Sequence, residues 1–172
     1  MGRKFVLGNP KTCVGCKTCM TACLVKHFAR EDAPVSRLNV VSLGERTVSL
    51  SCRHCEDAPC VSACPVGALY FDQTRVAVSM HKCIGCSGCI SGCPYGAVSL
   101  IERPDGKRLE GMVIGNTLRQ VVIKCDLCYD RENGPACIEA CTSSSLRLVD
   151  QDELNLRENL SKAAKSAIPE LA

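Results

Sequence analysis

HKCIGCSGCISGCP, residues 81–94, carries four cysteines, Cys83, Cys86, Cys89 and Cys93, spaced C-x2-C-x2-C-x3-C, with Pro94 behind the last. Three thiolates at this spacing wrap a loop around one face of an iron-sulfur cubane. The fourth leaves along a short helix and ligates a different cluster. The run is therefore incomplete by itself: Cys93 needs a second cluster, and the first cluster needs a cysteine from elsewhere.

Upstream stands Cys52, Cys55, Cys60 and Cys64, with four residues at its centre instead of two and Pro65 after the last. Further out lies Cys13, Cys16, Cys19 and Cys23, with Leu24 in place of the proline. Downstream comes Cys125, Cys128, Cys137 and Cys141, with eight residues at the centre and Thr142 where proline would stand. Four groups of four use all sixteen cysteines and fit four [4Fe-4S] clusters. The fourth-cysteine rule then predicts crossed ligand sets. One inner cluster takes Cys52, Cys55, Cys60 and Cys93, the other Cys83, Cys86, Cys89 and Cys64. The outer groups are left for each other, giving Cys13, Cys16, Cys19 and Cys141 on one cluster and Cys125, Cys128, Cys137 and Cys23 on the other. One module is nested inside the other in sequence.

Zinc sites also use C-x2-C pairs, but they join two short knuckles across a longer gap and do not repeat a C-x3-C ending four times. Redox disulfide chemistry needs one or two such pairs. The opening MGRKFVLGNPKTC has no apolar h-region and no twin arginine, so a reducing cytoplasmic setting is expected, with the thiols as ligands.

The 172 residues suit one compact unit or two closely joined small ones. With no Trp, three Phe and three Tyr, a conventional core lacks its largest contributors, so clusters are expected to supply folding energy and the apo chain to be largely unfolded. A formal charge of +3 without a basic block gives no footprint for nucleic acid. No stretch nears the roughly 18 apolar residues of a membrane span.

Residues 4–7 read as a strand, 19–30 as a helix, and 35–43 with 46–50 as a hairpin about Gly44-Glu45. Strands are expected at 68–71, 76–80 and 97–101, and PVGALYF and PYGAVSLI form an internal repeat. Residues 102–110 read as an exposed charged loop, 112–114 and 118–123 as a strand pair about Gly115-Asn116, and 146–149 as a closing strand. The expected organisation is an outer module of residues 1–34 plus 112–150 and an inner module of 51–101. A hairpin insertion at 35–50, a loop at 102–111 and a helical tail at 152–172 complete it. The tail has a weak apolar face at Leu156, Leu160, Ala163 and Ala167, which suits either a solvated end or a docking element.

Several residues beside the ligands are expected to tune the clusters. Gly15 and Gly85 let the backbone approach and aim N–H groups at sulfur, favouring the reduced state. Lys17, Arg53, Lys82 and Lys124 favour it by charge, or are ordinary solvated cations. Among the histidines, His54, inside Cys-Arg-His-Cys, is the candidate hydrogen-bond donor. No dinucleotide or phosphate-binding glycine motif is present, and no cysteine is left to leave an iron open, so the chain is expected to transfer single electrons and to have no catalytic site of its own.

The stretches CRHCEDAPC (52–60), KCDLC (124–128) and GPAC (134–137) resemble the four-cluster electron-transfer subunits of molybdopterin oxidoreductases. The likeness is greatest to the iron-sulfur subunit of formate hydrogenlyase and its formate-dehydrogenase-associated relative. That resemblance implies an α+β fold of two pseudo-symmetric double-cluster ferredoxin-like modules, with the clusters in a line. It also implies a molybdenum or tungsten formate dehydrogenase as catalytic partner and a hydrogenase or flavin subunit as the second. The rivals are a free polyferredoxin, a carrier for carbon monoxide dehydrogenase, and a non-redox structural or maturation factor.

Overall fold

A computed structural model describes residues 3–31, 35–109 and 112–167. It is a small mixed fold of paired strands and mostly one-turn helices. Strand β1 (Lys4–Gly8) pairs antiparallel with β8 (Leu146–Asp150), so the two ends of the cysteine-bearing region are stitched together. Helix α1 (Thr18–Glu31) follows β1, and the hairpin of β2 (Asn39–Leu43) and β3 (Arg46–Leu50) packs back against β1. The Ser51 hydroxyl fastens that hairpin by donating to the Val6 carbonyl at 2.8 Å.

Strands β4 (Leu69–Asp72) and β5 (Arg75–Val78) form the next hairpin. It lies between the one-turn helices α2 (Pro59–Ser62) and α3 (Gly88–Ser91), which contact each other. Strands β6 (Val98–Leu109) and β7 (Met112–Lys124) pair along their length. Residues 102–109 are thus strand and not the loop expected of ERPDGK, and 112–123 continue one strand instead of turning at Gly115-Asn116. The register shifts by one between Asp105 and Lys107, where Gly115 and Asn116 of β7 stand opposite the single Gly106 of β6, so the ladder passes through the turn-like residues as a bulge on β7. Helix α4 (Ala136–Glu139) packs on α1, and α5 (Gln151–Ala167) follows β8. Residues 168–172 of the expected tail lie outside the described residues.

Two buried cores result. In one, Leu69, Val76, Val98, Val121 and Val122 surround Cys60, Cys83 and Cys89. In the other, Val6, Leu38 and Leu146 surround Cys19, Cys23 and Cys137. Four-residue helices such as α2, α3 and α4 hold too few internal hydrogen bonds to persist alone, so their order depends on what their cysteines are tied to.

Candidate iron-sulfur sites

Each of these helices carries a pair of cysteines four residues apart, which places both sulfurs on one face about one turn apart. Cys19 and Cys23 lie in α1, and Cys137 in α4 with Cys141 just beyond it. Cys60 lies in α2 with Cys64 just beyond, and Cys89 in α3 with Cys93 just beyond. Because α1 meets α4 and α2 meets α3, each helix presents its two sulfurs toward two different groups of cysteines.

Two of the groupings enclose small cavities. The lining of one includes Cys13, Cys16, Cys19 and Cys141. The lining of the other includes Cys64, Cys83, Cys86 and Cys89. The other two groupings show in the electrostatics. Burial pushes the Cys60 thiol up to about 11, and the neighbouring Cys52, Cys93 and Cys55 add to the shift. Burial likewise raises Cys137 to about 12, with Cys23, Cys128 and then Cys19 contributing. Burial also raises Cys125, and the charge of Cys52 adds to the shift. All sixteen cysteines are free of disulfides.

The last cysteine of a group receives a backbone hydrogen bond from the residue four positions on. The Ala68 N–H donates to Cys64 Sγ at 3.1 Å, Ala97 to Cys93 at 3.5 Å and Ser145 to Cys141 at 3.3 Å. The residue before each donor is left-handed: Gly67 at φ 60°, Gly96 at φ 58° and Ser144 at φ 48°. Serine thus occupies in the fourth group a conformation that glycine fills in the inner two. At Cys141 burial acts upward, but the Ser145 and Ser143 hydroxyls and the backbone N–H groups of Leu146 and Ser145 win, bringing the thiol down to about 7.

The first group departs from this pattern. With Leu24 in place of proline, α1 runs on past Cys23, and the donor to Cys23 Sγ is the Arg37 N–H, at 3.3 Å, from the segment leading into β2. Neither Arg37 nor its ion-pair partner Asp126 carries a local sequence signal of that role. Only the position of Asp126 inside KCDLC points toward the site.

The tuning candidates separate into two kinds. The Gly85 N–H donates to Cys83 Sγ at 3.4 Å, and Gly15 shares its positive φ of 72°. Lys17 and Lys82 are exposed. The Arg53 guanidinium stacks 4.6 Å from the Phe5 ring centroid and 5.6 Å from that of Tyr95. Lys124 is only 2% exposed, and its Nζ donates to the Cys125 carbonyl at 3.0 Å. His54 is fully buried; its backbone N–H donates to Cys52 Sγ at 3.4 Å, and its Nδ1 accepts the Val76 N–H at 3.1 Å. The ring hydrogen therefore sits on Nε2, which has no hydrogen-bond partner among the described residues. Burial, then the charges of Lys124, Arg75 and Arg3, hold the ring neutral with a pKa of about 2.

These residues fit iron-sulfur clusters. Cavities walled by four sulfurs match a four-thiolate ligand set, and buried thiols with raised pKa values are the groups that a metal deprotonates. Lys124, buried with no carboxylate partner among the described residues, suits a site whose counter-charge is thiolate-bound metal.

Comparison with known proteins gives the same chemistry. A model of the 4Fe-4S dicluster domain matches residues 45–105, and one of a 4Fe-4S binding domain matches residues 10–26. The chain is 36% identical over 158 residues to electron transport protein HydN of Escherichia coli strain K12, covering 88% of this chain and 90% of that relative. It is also 36% identical over 170 residues to an iron-sulfur protein of Rhodospirillum rubrum, covering 90% of this chain and 87% of the relative.

Proposed function

The chain belongs to the family of 4Fe-4S electron transport proteins, and from that premise we propose that it is a fixed conduit of four clusters between two redox subunits. Its sixteen cysteines fit four [4Fe-4S] clusters. When bound, such a cluster takes up and releases one electron at a time, at potentials from about −700 to +450 mV across proteins.

In our reading the ligand sets cross between groups. The outer module, 1–34 with 112–150, holds Cys13, Cys16, Cys19 and Cys141 on one site and Cys125, Cys128, Cys137 and Cys23 on the other. The inner module, 51–101, holds Cys52, Cys55, Cys60 and Cys93 on one site and Cys83, Cys86, Cys89 and Cys64 on the other. The two form a pseudo-symmetric pair joined where Cys125 neighbours Cys52. Lys124 sits at that junction as a buried cation, and the His54 backbone N–H, on Cys52 Sγ, is a donor to the site of the second group.

The observation that carries the conduit reading is the exposure of the sulfurs. Cys16 and Cys86 are exposed, whereas Cys23, Cys125, Cys128 and Cys137 are all buried. Electrons therefore enter and leave by the first and third groups, beside the exposed side chains of Val14 and Ile84, and the other two sites lie between. The neighbouring of Cys137 with Cys19, and of Cys125 with Cys52, supports that order. No helix among the described residues is long and apolar enough to cross a membrane.

The resemblance to electron-transfer subunits of molybdopterin oxidoreductases leads us to a molybdenum or tungsten formate dehydrogenase as the catalytic partner, with a hydrogenase or flavin subunit as the other. The test is anaerobic affinity purification from the native host, with mass spectrometry of whatever stays bound through a sizing column. A molybdopterin subunit in constant stoichiometry is expected. Recovery of the chain alone, brown and intact, would overturn the fixed-subunit reading in favour of a diffusible carrier.

A further inference from the structure

Arg37, Asp126 and His27 form a buried cluster between α1, the segment before β2, and the fourth cysteine group. They are 8%, 8% and 1% exposed. Arg37 Nη1 lies 2.6 Å from Asp126 Oδ2, an ion pair removed from solvent. Asp126 Oδ1 accepts the Cys128 N–H at 3.0 Å and stands 3.5 Å from His27 Nε2. The same Nε2 lies 3.9 Å from Cys128 Sγ. Both of its neighbours, carboxylate and sulfur, are acceptors, which assigns the ring hydrogen to Nε2 and directs it between them.

The three residues touch two sulfurs from distant parts of the chain. The Arg37 N–H reaches Cys23 Sγ, and the His27 ring reaches Cys128 Sγ. Both sulfurs belong to the site of the fourth group under the ligand assignment proposed above, on which this inference rests. Cys23 lacks the turn that in the other three groups supplies an N–H four residues on, and Asp126 anchors the residue that supplies it instead.

We propose that Arg37, Asp126 and His27 act together as positioning residues that replace the missing turn at Cys23 and set the reduction potential of the fourth-group site. Donors to sulfur and nearby positive charge favour the reduced, more negative state, and nearby negative charge disfavours it. The ion pair leaves the balance of charge beside this site adjustable by either partner, because removing one of them changes the net charge there by a unit.

The prediction is a difference in sign that loss of packing alone does not produce. Arg37→Leu removes the cation and leaves the carboxylate, so the midpoint potential of the fourth-group site falls. Asp126→Asn removes the anion, leaves the cation and retains an acceptor for the Cys128 N–H, so it rises. His27→Leu lowers the potential by removing a donor, and His27→Gln, which keeps an N–H, restores part of it. The measurement is a redox titration of the purified, loaded chain followed by electron paramagnetic resonance. The relevant wave is identified as the one altered in Cys128→Ser, and iron content is determined on each sample. Opposite shifts at unchanged iron content are the expected result. Shifts of the same sign for Arg37→Leu and Asp126→Asn, or no shift confined to that wave, would overturn the proposal. Loss of iron on replacing His27 would make it a ligand and overturn the positioning role. A wild-type chain with no reducible cluster signal would instead remove the conduit reading, so the two failures are distinct.

Discussion

Phe5 and Val149 face each other in the antiparallel ladder that joins the first strand to the last. Through this pair, cysteine groups more than a hundred residues apart in sequence are held side by side. Phe5 is 1% exposed, and its ring supports the Arg53 guanidinium from inside the second group, so one aromatic side chain links the outer ladder to the inner cysteines.

Phe5→Ala is accordingly expected to destabilise the loaded protein by about 3–5 kcal/mol, the usual range for deleting a buried phenyl ring. Anaerobic urea denaturation followed by the visible absorbance of the clusters measures it. A loss below about 1 kcal/mol would mean that the ladder tolerates the cavity and that the ring is not the link described.

Ser144 gives a prediction of the opposite sign. A non-glycine residue in the left-handed region costs roughly 1–2 kcal/mol, offset in part by the greater freedom that glycine loses on folding. Ser144→Gly should therefore stabilise the loaded protein by about 0.5–1 kcal/mol, and Gly96→Ala, where a Cβ meets nothing within 4 Å, should cost a similar amount. The Ser145 N–H to Cys141 bond is retained in Ser144→Gly, so the first-group signal should not move. Denaturation midpoints of the two variants, compared with wild type, check both signs.

The cysteine spacing made the cysteine-bearing helices legible, because a C-x3-C ending sets its sulfurs one turn apart on a helix. The strands at 4–8, 69–78 and 146–150 were readable from short β-branched or apolar runs between turn residues. The ribbon at 98–124 was not, since Pro104, Asp105 and Gly106, like Gly115 and Asn116 on the facing strand, carry every mark of a loop; the bulge on β7 that lets the ladder pass has no signature in the residue types alone. Arg37 and His27 were invisible for a different reason. Their role comes from burial against sulfurs far away in sequence, and nothing near them marks it. His54 was singled out for its ring, and its backbone N–H proves to be the group on Cys52.

Iron removal is expected to dismantle the fold unevenly. Burial raises the thiols of Cys60 and Cys137, and the one-turn helices α2 and α4 that carry them have little internal support. Anaerobic chelation should lower the helical far-ultraviolet signal and free the thiols for alkylation, in proportion to iron lost. The β6–β7 ribbon, held by its own ladder, should be the last region to lose amide-exchange protection. Full retention of the circular dichroism spectrum after complete iron loss would show that the apolar cores suffice without metal.

Cys93→Ser gives the most direct test of crossed ligation. Cys93 follows the three cysteines of the third group in sequence, yet it neighbours Cys55 and Cys60 of the second. Replacing its sulfur by oxygen should change the spectrum and potential of the second-group site and leave that of the third group at its wild-type position. Cys64→Ser should do the reverse, because Cys64 lines the cavity with Cys83, Cys86 and Cys89. Resonance spectra of the partly reduced variants, read against each other, distinguish the two sites without an assignment made in advance. If Cys93→Ser altered only the signal that Cys83→Ser also removes, the sulfurs would be shared within each sequence group, and the nested arrangement of two modules would not hold.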